Sequence, residues 1–386
     1  MINIIDKKKC CGCTACENVC PQKCIKMIED REGFIYPQVD TQRCIECHLC
    51  EKVCPVLNPV NLPQDELKTY VVRDKRKDIL KNSTSGGVFT SVMEYILLQR
   101  GVVYGVIMDD DRVIKHIRVD DISDPRLKMI PGSKYVKSEI RGIFQQVKRD
   151  LETSKVVCFS GTPCQVAGLK AFLRKDFENL ITVDVVCRGN PSPLYWKRYV
   201  AYQEKRYGSR ITEAKFRSKT YGYHSGSMRL TFANGKKYVG SVRVNLFLKA
   251  FFEDLCSRPS CYDCAFKHAH RVSDLTIYDC WHAGELANLK DDDRGYTNVI
   301  IQSEKGRKLL DEIRQSLDVY ETDTEKAIAL DGIMVRNCVE WNDRRETFFD
   351  DLEQADDLEQ HCNKYFRISA KDHLIEGVKK YVYFFK

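Results

Sequence analysis

The chain has no apolar run long enough for a membrane-spanning helix, so no membrane span is expected. No charged-then-apolar leader precedes the first cysteine, which argues against a secreted, disulfide-stapled protein and for a reducing, cytoplasmic setting. Basic residues outnumber acidic ones by a net +7, yet they form no dense patch, and nucleic acid is not an expected partner. The imbalance is also uneven. From Leu317 to Gln360 there are fourteen acidic and four basic residues, a balance of −10 that leaves +17 on the remainder. Such an excess is mostly solvated surface; the anions it would attract are a phosphate-bearing cofactor, a nucleotide-linked substrate or an acidic redox partner.

What the chain does have is cysteine, nineteen in all. Cys10, Cys13, Cys16 and Cys20 precede Pro21, and Cys44, Cys47, Cys50 and Cys54 precede Pro55, each position in the second run lying 34 residues after its counterpart. Three closely spaced thiolates hold three irons of a cubane, and in two-cluster ferredoxins the fourth thiolate comes from the other run. The pattern predicts one 4Fe-4S cluster on Cys10, Cys13, Cys16 and Cys54, and a second on Cys44, Cys47, Cys50 and Cys20. Zinc sites close on two CxxC pairs and do not require four-cysteine runs ending in Cys-Pro. Ile25 to Ile28 and Phe34 to Tyr36 flank a turn as in a hairpin. Cys11 and Cys24 fall outside the ligand pattern and read as buried or spare thiols. Exposed clusters degrade in oxygen, so an anaerobic or protected host compartment is expected.

This module ends near Asn58, and the remaining length suffices for one large or two ordinary domains. Asn58 to Leu67, with Pro59 and Pro63, reads as a linker. Strand-like Lys68 to Arg73 leads to a small-residue turn, Ser83-Thr84-Ser85-Gly86-Gly87, and a helix over Val88 to Leu98. This is an anion cradle or an ordinary capped turn. Strands over Lys155 to Phe159 and Leu180 to Val186 end at Gly161-Thr162-Pro163-Cys164 and Cys187-Arg188-Gly189, where open α/β sheets place ligands. Ser138 to Glu152 reads as helix, Met228 to Val239 as a hairpin turning at Asn234-Gly235. Arg217, Lys219, Tyr221 and Tyr223 precede the hairpin, as a flavin or phosphate grip or as exposed strand residues. The CxxC at Cys261 and Cys264 has two ways to find partners: local Cys256 and Cys280, or the strand-end thiols Cys164 and Cys187.

Taken in order, these motifs, with Gly132-Ser133-Lys134-Tyr135-Val136, Pro191-Ser192-Pro193, Arg258-Pro259-Ser260 and Ser273-Asp274 to Asp279 with Trp281, resemble the beta subunit family of deazaflavin-coenzyme-reducing hydrogenases and dehydrogenases (coenzyme F(420) hydrogenase/dehydrogenase). The resemblance covers about three quarters of the chain. It implies a flavoprotein oxidoreductase in which FAD lies beside a further 4Fe-4S cluster. Carried over by motif, Ser85, Gly86, Gly87, Ser133, Lys134, Tyr135 and Thr162 bind FAD, and Cys164, Cys187, Cys261 and Cys264 hold the third cluster. Arg188 stands where histidine is expected, Asn190 where a small apolar residue is usual, and Tyr278-Asp279-Cys280-Trp281-His282 replaces a Gly-Asp-aromatic-Trp-Gly pattern. These departures bear on the substrate. Arg188 favours an anionic substrate or reduced flavin, with a surface ion pair as the alternative, and His282 is a proton-donor candidate.

The fold expected is α+β to α/β. A bacterial two-cluster ferredoxin-like domain (1–58) joins a mixed α/β flavin-binding domain (68–300, in parts 68–154 and 155–300), followed by a mainly helical, acidic C-terminal region (301–386). The function expected is electron transfer between a ferredoxin, or another redox protein or subunit, and a small organic substrate. The rival is an electron-transfer adaptor subunit without a substrate site of its own.

Overall fold

The computed structural model describes residues 1–62 and 64–384. Pro63 of the expected linker lies outside the described residues. An antiparallel hairpin, β1 (Ile25–Glu29) and β2 (Ile35–Val39), backs the N-terminal cysteine loops. The body is built on an eight-stranded sheet of β3 (Lys68–Asp74), β4 (Val102–Met108), β5 (Ile114–Val119), β6 (Val157–Gly161), β7 (Leu180–Val185), β11 (Leu275–Cys280), β12 (Tyr296–Ile301) and β13 (Leu317–Thr322), ordered β13-β3-β12-β11-β7-β6-β4-β5. The strands β11, β7, β6 and β4 run parallel, and antiparallel strands continue the sheet on both sides. Between β7 and β11, a three-stranded antiparallel sheet of β8 (Ile211–Ser218), β9 (Ser227–Phe232) and β10 (Lys237–Ser241) is inserted. The fold is therefore the mixed α/β body with a ferredoxin-like module that the sequence predicts.

Parallel strands require crossovers, and helices Ile143–Glu152 and Pro163–Leu173 supply them. Side-chain alternation along β6 sorts the two faces. Val157 and Phe159 point into a cluster with those two helices, whereas Cys158 points the other way, toward Val88–Leu98 and Glu304–Ile313. Cys11, Cys13, Ala15 and Val53 of the ferredoxin module belong to the first cluster, so the module is packed into the body's own core.

Three segments depart from expectation. A short helix, Lys77–Asn82, intervenes between β3 and the Ser83–Gly87 turn. The helix expected from Ser138 starts only at Ile143, because Glu139 bridges to Lys115 beside β5 and Gly142 turns the chain at φ +74°. The region after Ile301 is mostly helical, but it also contributes β13 to the edge of the large sheet. That strand's half-exposed, acid-bearing alternation is weak sequence signal and suits an edge.

The C-terminal helices return to clamp the N-terminal module. Arg345, on helix Arg345–Gln354, bonds both oxygens of Glu32 at 3.0 and 2.5 Å, with both side chains buried. Ser192 Oγ donates to the Glu32 carbonyl, and a Cβ on Gly33 would stand 2.6 Å from the Leu194 backbone nitrogen.

Candidate functional site

The N-terminal thiols assemble as two crossed sets. The charges that bear on Cys16 are those of Cys13, Cys10 and Cys54. The last therefore comes from the second run. Backbone N–H groups of Gly12, Ala15 and Glu17 point at Cys10, Cys13 and Cys16, the donors that stabilise thiolate sulfur at iron sites. Cys20, Cys44, Cys47 and Cys50 line a separate small cavity, where the Ile2 amide donates to Cys50 Sγ at 3.3 Å. The two spare thiols are buried beside these sets. Cys24 Sγ lies 3.4 Å from Cys20 Sγ, and Cys11 interacts with both Cys13 and Cys164, which hold its thiol well above the ordinary range.

A third set forms at the carboxyl ends of the parallel strands. Cys164 opens the helix after β6, Cys187 follows β7, and Cys261 and Cys264 arrive on the loop after helix Leu246–Phe252. Together they line a cavity of about 340 Å³, and Cys187 feels the charges of Cys261, Cys164 and Cys264. Burial pushes the Cys264 thiol up to about 12. Cys164 goes the other way, because the Cys11 thiol and the Lys137 ammonium both favour its thiolate. The local alternative is not assembled: Cys256 is buried in the aromatic cluster under the three-stranded sheet, and Cys280 in a separate cluster on the large one. Cys338, which spacing did not single out, accepts from the Cys264 amide at 3.2 Å. Among the described residues no three of His, Cys, Asp and Glu converge on a point as a single metal ion requires. The thiols ring cavities instead.

A buried relay holds the Cys164 loop from behind. Gln165 Nε2 donates to Ser138 Oγ at 2.8 Å, Ser138 Oγ lies 3.0 Å from His116 Nδ1, and His116 Nε2 lies 3.0 Å from the Ser160 carbonyl. A carbonyl only accepts, so Nε2 carries the proton and Nδ1 accepts from Ser138, which leaves the ring neutral. Burial lowers the His116 pKa to about 4, in agreement.

Next to the third thiol set lies a cavity of about 640 Å³, which shares Thr162, Cys187 and Arg188 with it. Ser85, Gly87, Ser133, Lys134, Tyr135 and Thr162 all line this larger cavity. Gly86 supports it from beneath, its amide bonded to Thr297 Oγ1 at 2.9 Å. The two turns are tied together, since the Ser133 amide donates to Thr84 Oγ1 at 2.9 Å. Lys134 Nζ bonds the carbonyls of Met129, Ile130 and Gly132, and loss of water draws its pKa down to about 7. An anion in the cavity would restore the charged form. Thr162 Oγ1 lies 3.2 Å from Cys164 Sγ, so one hydroxyl touches both cavities.

Arg188 lines both cavities, pairs with Asp254 at 2.9 Å and lies over the Phe252 ring. Its Nε is buried without a hydrogen-bond partner. His282 is absent from the cavity wall; its Nδ1 meets Asp331 Oδ1 at 2.6 Å, and that bond raises its pKa. Asp331 does line the larger cavity. Arg217 lies against the rings of both Tyr223 and Trp281 and pairs with Asp279 at the same wall.

Lys137 went unremarked in the sequence, and Arg258 entered only as part of a motif, with no role. Lys137 is 6% exposed with Nζ 3.8 Å from Cys164 Sγ, and Arg258 is 1% exposed with Nε on the Cys10 carbonyl at 2.7 Å. A lone lysine after a turn and an arginine before a proline carry no local signal of burial.

Crossed cysteine runs, a strand-end thiol set and an adjoining cavity together define an iron–sulfur oxidoreductase. Residues 9–58 match the 4Fe-4S dicluster domain, and residues 154–327 match the C terminus of the coenzyme F(420) hydrogenase/dehydrogenase beta subunit. The resemblance read from the motifs is thus borne out over these two stretches. Among solved structures, the coenzyme F(420)-reducing NiFe hydrogenase complex from Methanosarcina barkeri is similar over 67% of this chain and 84% of the compared one, at 17% identity and a TM-score of 0.45. No curated protein matches. Among the described residues no helix is long and apolar enough to cross a membrane.

Proposed function

We infer that the protein is an iron–sulfur flavoenzyme that passes electrons between a ferredoxin-type protein or partner subunit and a small organic substrate. The observation that carries this reading is the contact between the two cavities at Thr162, Cys187 and Arg188. The residues fit the groups implied. Four thiols line the smaller cavity, and two tied turns with a lysine line the larger. When bound, 4Fe-4S clusters supply one-electron steps and FAD converts them to two-electron chemistry.

The protein's own residues bind, orient and shield. Cys10, Cys13, Cys16 and Cys54, then Cys44, Cys47, Cys50 and Cys20, then Cys164, Cys187, Cys261 and Cys264 hold the three iron–sulfur sites. Ser85, Gly86, Gly87 and Ser133 supply hydroxyls and close backbone approach for the flavin, Lys134 a cation, Tyr135 an aromatic wall, and Thr162 a hydroxyl at the junction. Arg188 adds fixed positive charge there, which favours an anionic substrate. His282 acts through Asp331, whose carboxylate it holds at the wall. An adaptor that only relays single electrons between clusters has no use for a flavin-sized cavity of about 640 Å³ beside a thiol set, and this observation favours the flavoenzyme.

The test is iron, sulfide and flavin content per chain after strictly anaerobic purification. About twelve irons with one FAD are expected; about eight irons without flavin would overturn both the third cluster and the flavoenzyme reading.

A further inference from the structure

Two cations are buried where the ferredoxin module meets the body. Lys137 is 6% exposed, and the charges that bear on it are those of Cys164, Cys11, Cys13 and Arg258. Arg258 is 1% exposed; its Nε and Nη2 are bonded to the carbonyls of Cys10 and Ile35 at 2.7 and 3.0 Å. Its Nη1 has no hydrogen-bond partner and sits where a Cβ on Gly12 would come within 2.9 Å. The rings of Tyr36 and Phe34 cover the guanidinium. The leading charges on Arg258 are those of Cys10, Tyr36, Cys11 and Cys261. Among the described residues neither cation has a carboxylate within ion-pair distance.

Burying an unpaired charge costs several kcal/mol, and a protein retains two only where anionic groups offset them. The available anions are the thiolate sets themselves. Lys137 stands against Cys164 of the body set, and Arg258 against the Cys10 loop, with the charge of Cys261 also bearing on it. The Cys44 set, at the far end of the module, has no buried lysine or arginine in its cavity wall; the cation that meets Cys50 and Cys44 is the exposed ammonium of Met1, which Glu51 pairs at 3.2 Å. Net charge around an iron–sulfur site is one of the levers on its reduction potential. A nearby cation stabilises the form that carries one more electron.

We propose that Lys137 and Arg258 are positioning residues that raise the reduction potentials of the iron–sulfur sites on either side of the module–body junction relative to the site at Cys44, Cys47, Cys50 and Cys20. An electron arriving at the outer set then moves inward downhill, toward the thiols beside the large cavity. This rests on the reading of the thiol sets as cluster sites.

The experiment is an EPR-monitored redox titration of the anaerobic holoprotein, with iron counted in every sample. Cys47→Ser assigns the outer signal by its loss. In Lys137→Met the midpoint of the body site should move to more negative potential while the outer midpoint stays fixed; Lys137→Arg, which keeps the charge, should restore it. Arg258→Met should do the same to the Cys10 site, and Arg258→Lys should recover most of it. Loss of the body-site iron from Lys137→Met with retention in Lys137→Arg also supports the proposal, because charge alone separates the two. Unchanged inner midpoints at full iron content would overturn it, as would an equal shift of all three sites or iron loss from Lys137→Arg as well. Absence of the third site's iron from the unmutated protein would instead sink the flavoenzyme reading, and Arg258→Met would still test the charge effect at the Cys10 site.

Discussion

The two ends of the ferredoxin module have the same cysteine spacing and opposite surroundings. At the inner end, Cys13 and Cys16 are buried, Cys13 packs against Gly168 on the body helix, and two cations press on the loop. At the outer end, Cys47 is exposed and its neighbour Ile45 is 60% exposed. Identical ligand runs thus serve unlike tasks, and what separates them is the chain packed around each. The inner end is built to be held, the outer end to be reached.

The most severe way to break this asymmetry is to release the clamp. Arg345→Met leaves the Glu32 carboxylate buried without its partner, at a cost of about 3–5 kcal/mol. Anaerobic denaturation followed by loss of visible absorption should show it, with the double variant Arg345→Met, Glu32→Gln regaining much of the midpoint. Next in size is Gly168→Ala, whose new methyl would stand 2.6 Å from Cys13 Cβ. Overpacking of that kind costs about 1–3 kcal/mol, read in the same assay as faster bleaching of the inner set.

Smaller effects come with pH, and two histidines should give opposite slopes. His116 props up the inner junction as a neutral ring with a pKa lowered to about 4. A group whose folded pKa lies below its unfolded value of about 6.5 makes the protein lose stability as the pH falls through that window, here about 1 kcal/mol between pH 7 and 5.5. His116→Asn should flatten that slope. His282 is raised by Asp331, so its contribution is full below about pH 6.5 and fades as the pH climbs through the folded value. His282→Gln should remove only that alkaline loss, in stability measured from pH 6 to 8. Least of all, Ile45→Ser on the open rim should change the denaturation midpoint by no more than about 0.5 kcal/mol.

Much of the site was legible because its chemistry is written in local spacing. The crossed runs, the strand-end loops around Cys164 and Cys187, and the Asn234-Gly235 hairpin are short-range patterns, and each stands where it was expected. Choosing Cys164 and Cys187 over Cys256 and Cys280 needed the family resemblance, since spacing alone left both open. The rest depends on contacts across the whole chain. Lys137 and Arg258 look like any basic residues until the fold buries them, and Glu32 and Arg345 meet across more than 300 positions. β13 was missed because an edge strand half in water alternates too weakly to stand out.

The Glu32–Arg345 clamp also sets an order of events during synthesis. The last N-terminal cysteine, Cys54, precedes Arg345 by 291 residues. At ordinary elongation rates that interval is roughly 15–60 s. For that time the nascent ferredoxin module lacks the segment that will pin its hairpin. The clamp is therefore the last contact to form: the hairpin turn at Glu32 is pinned only once the C-terminal helices have been made.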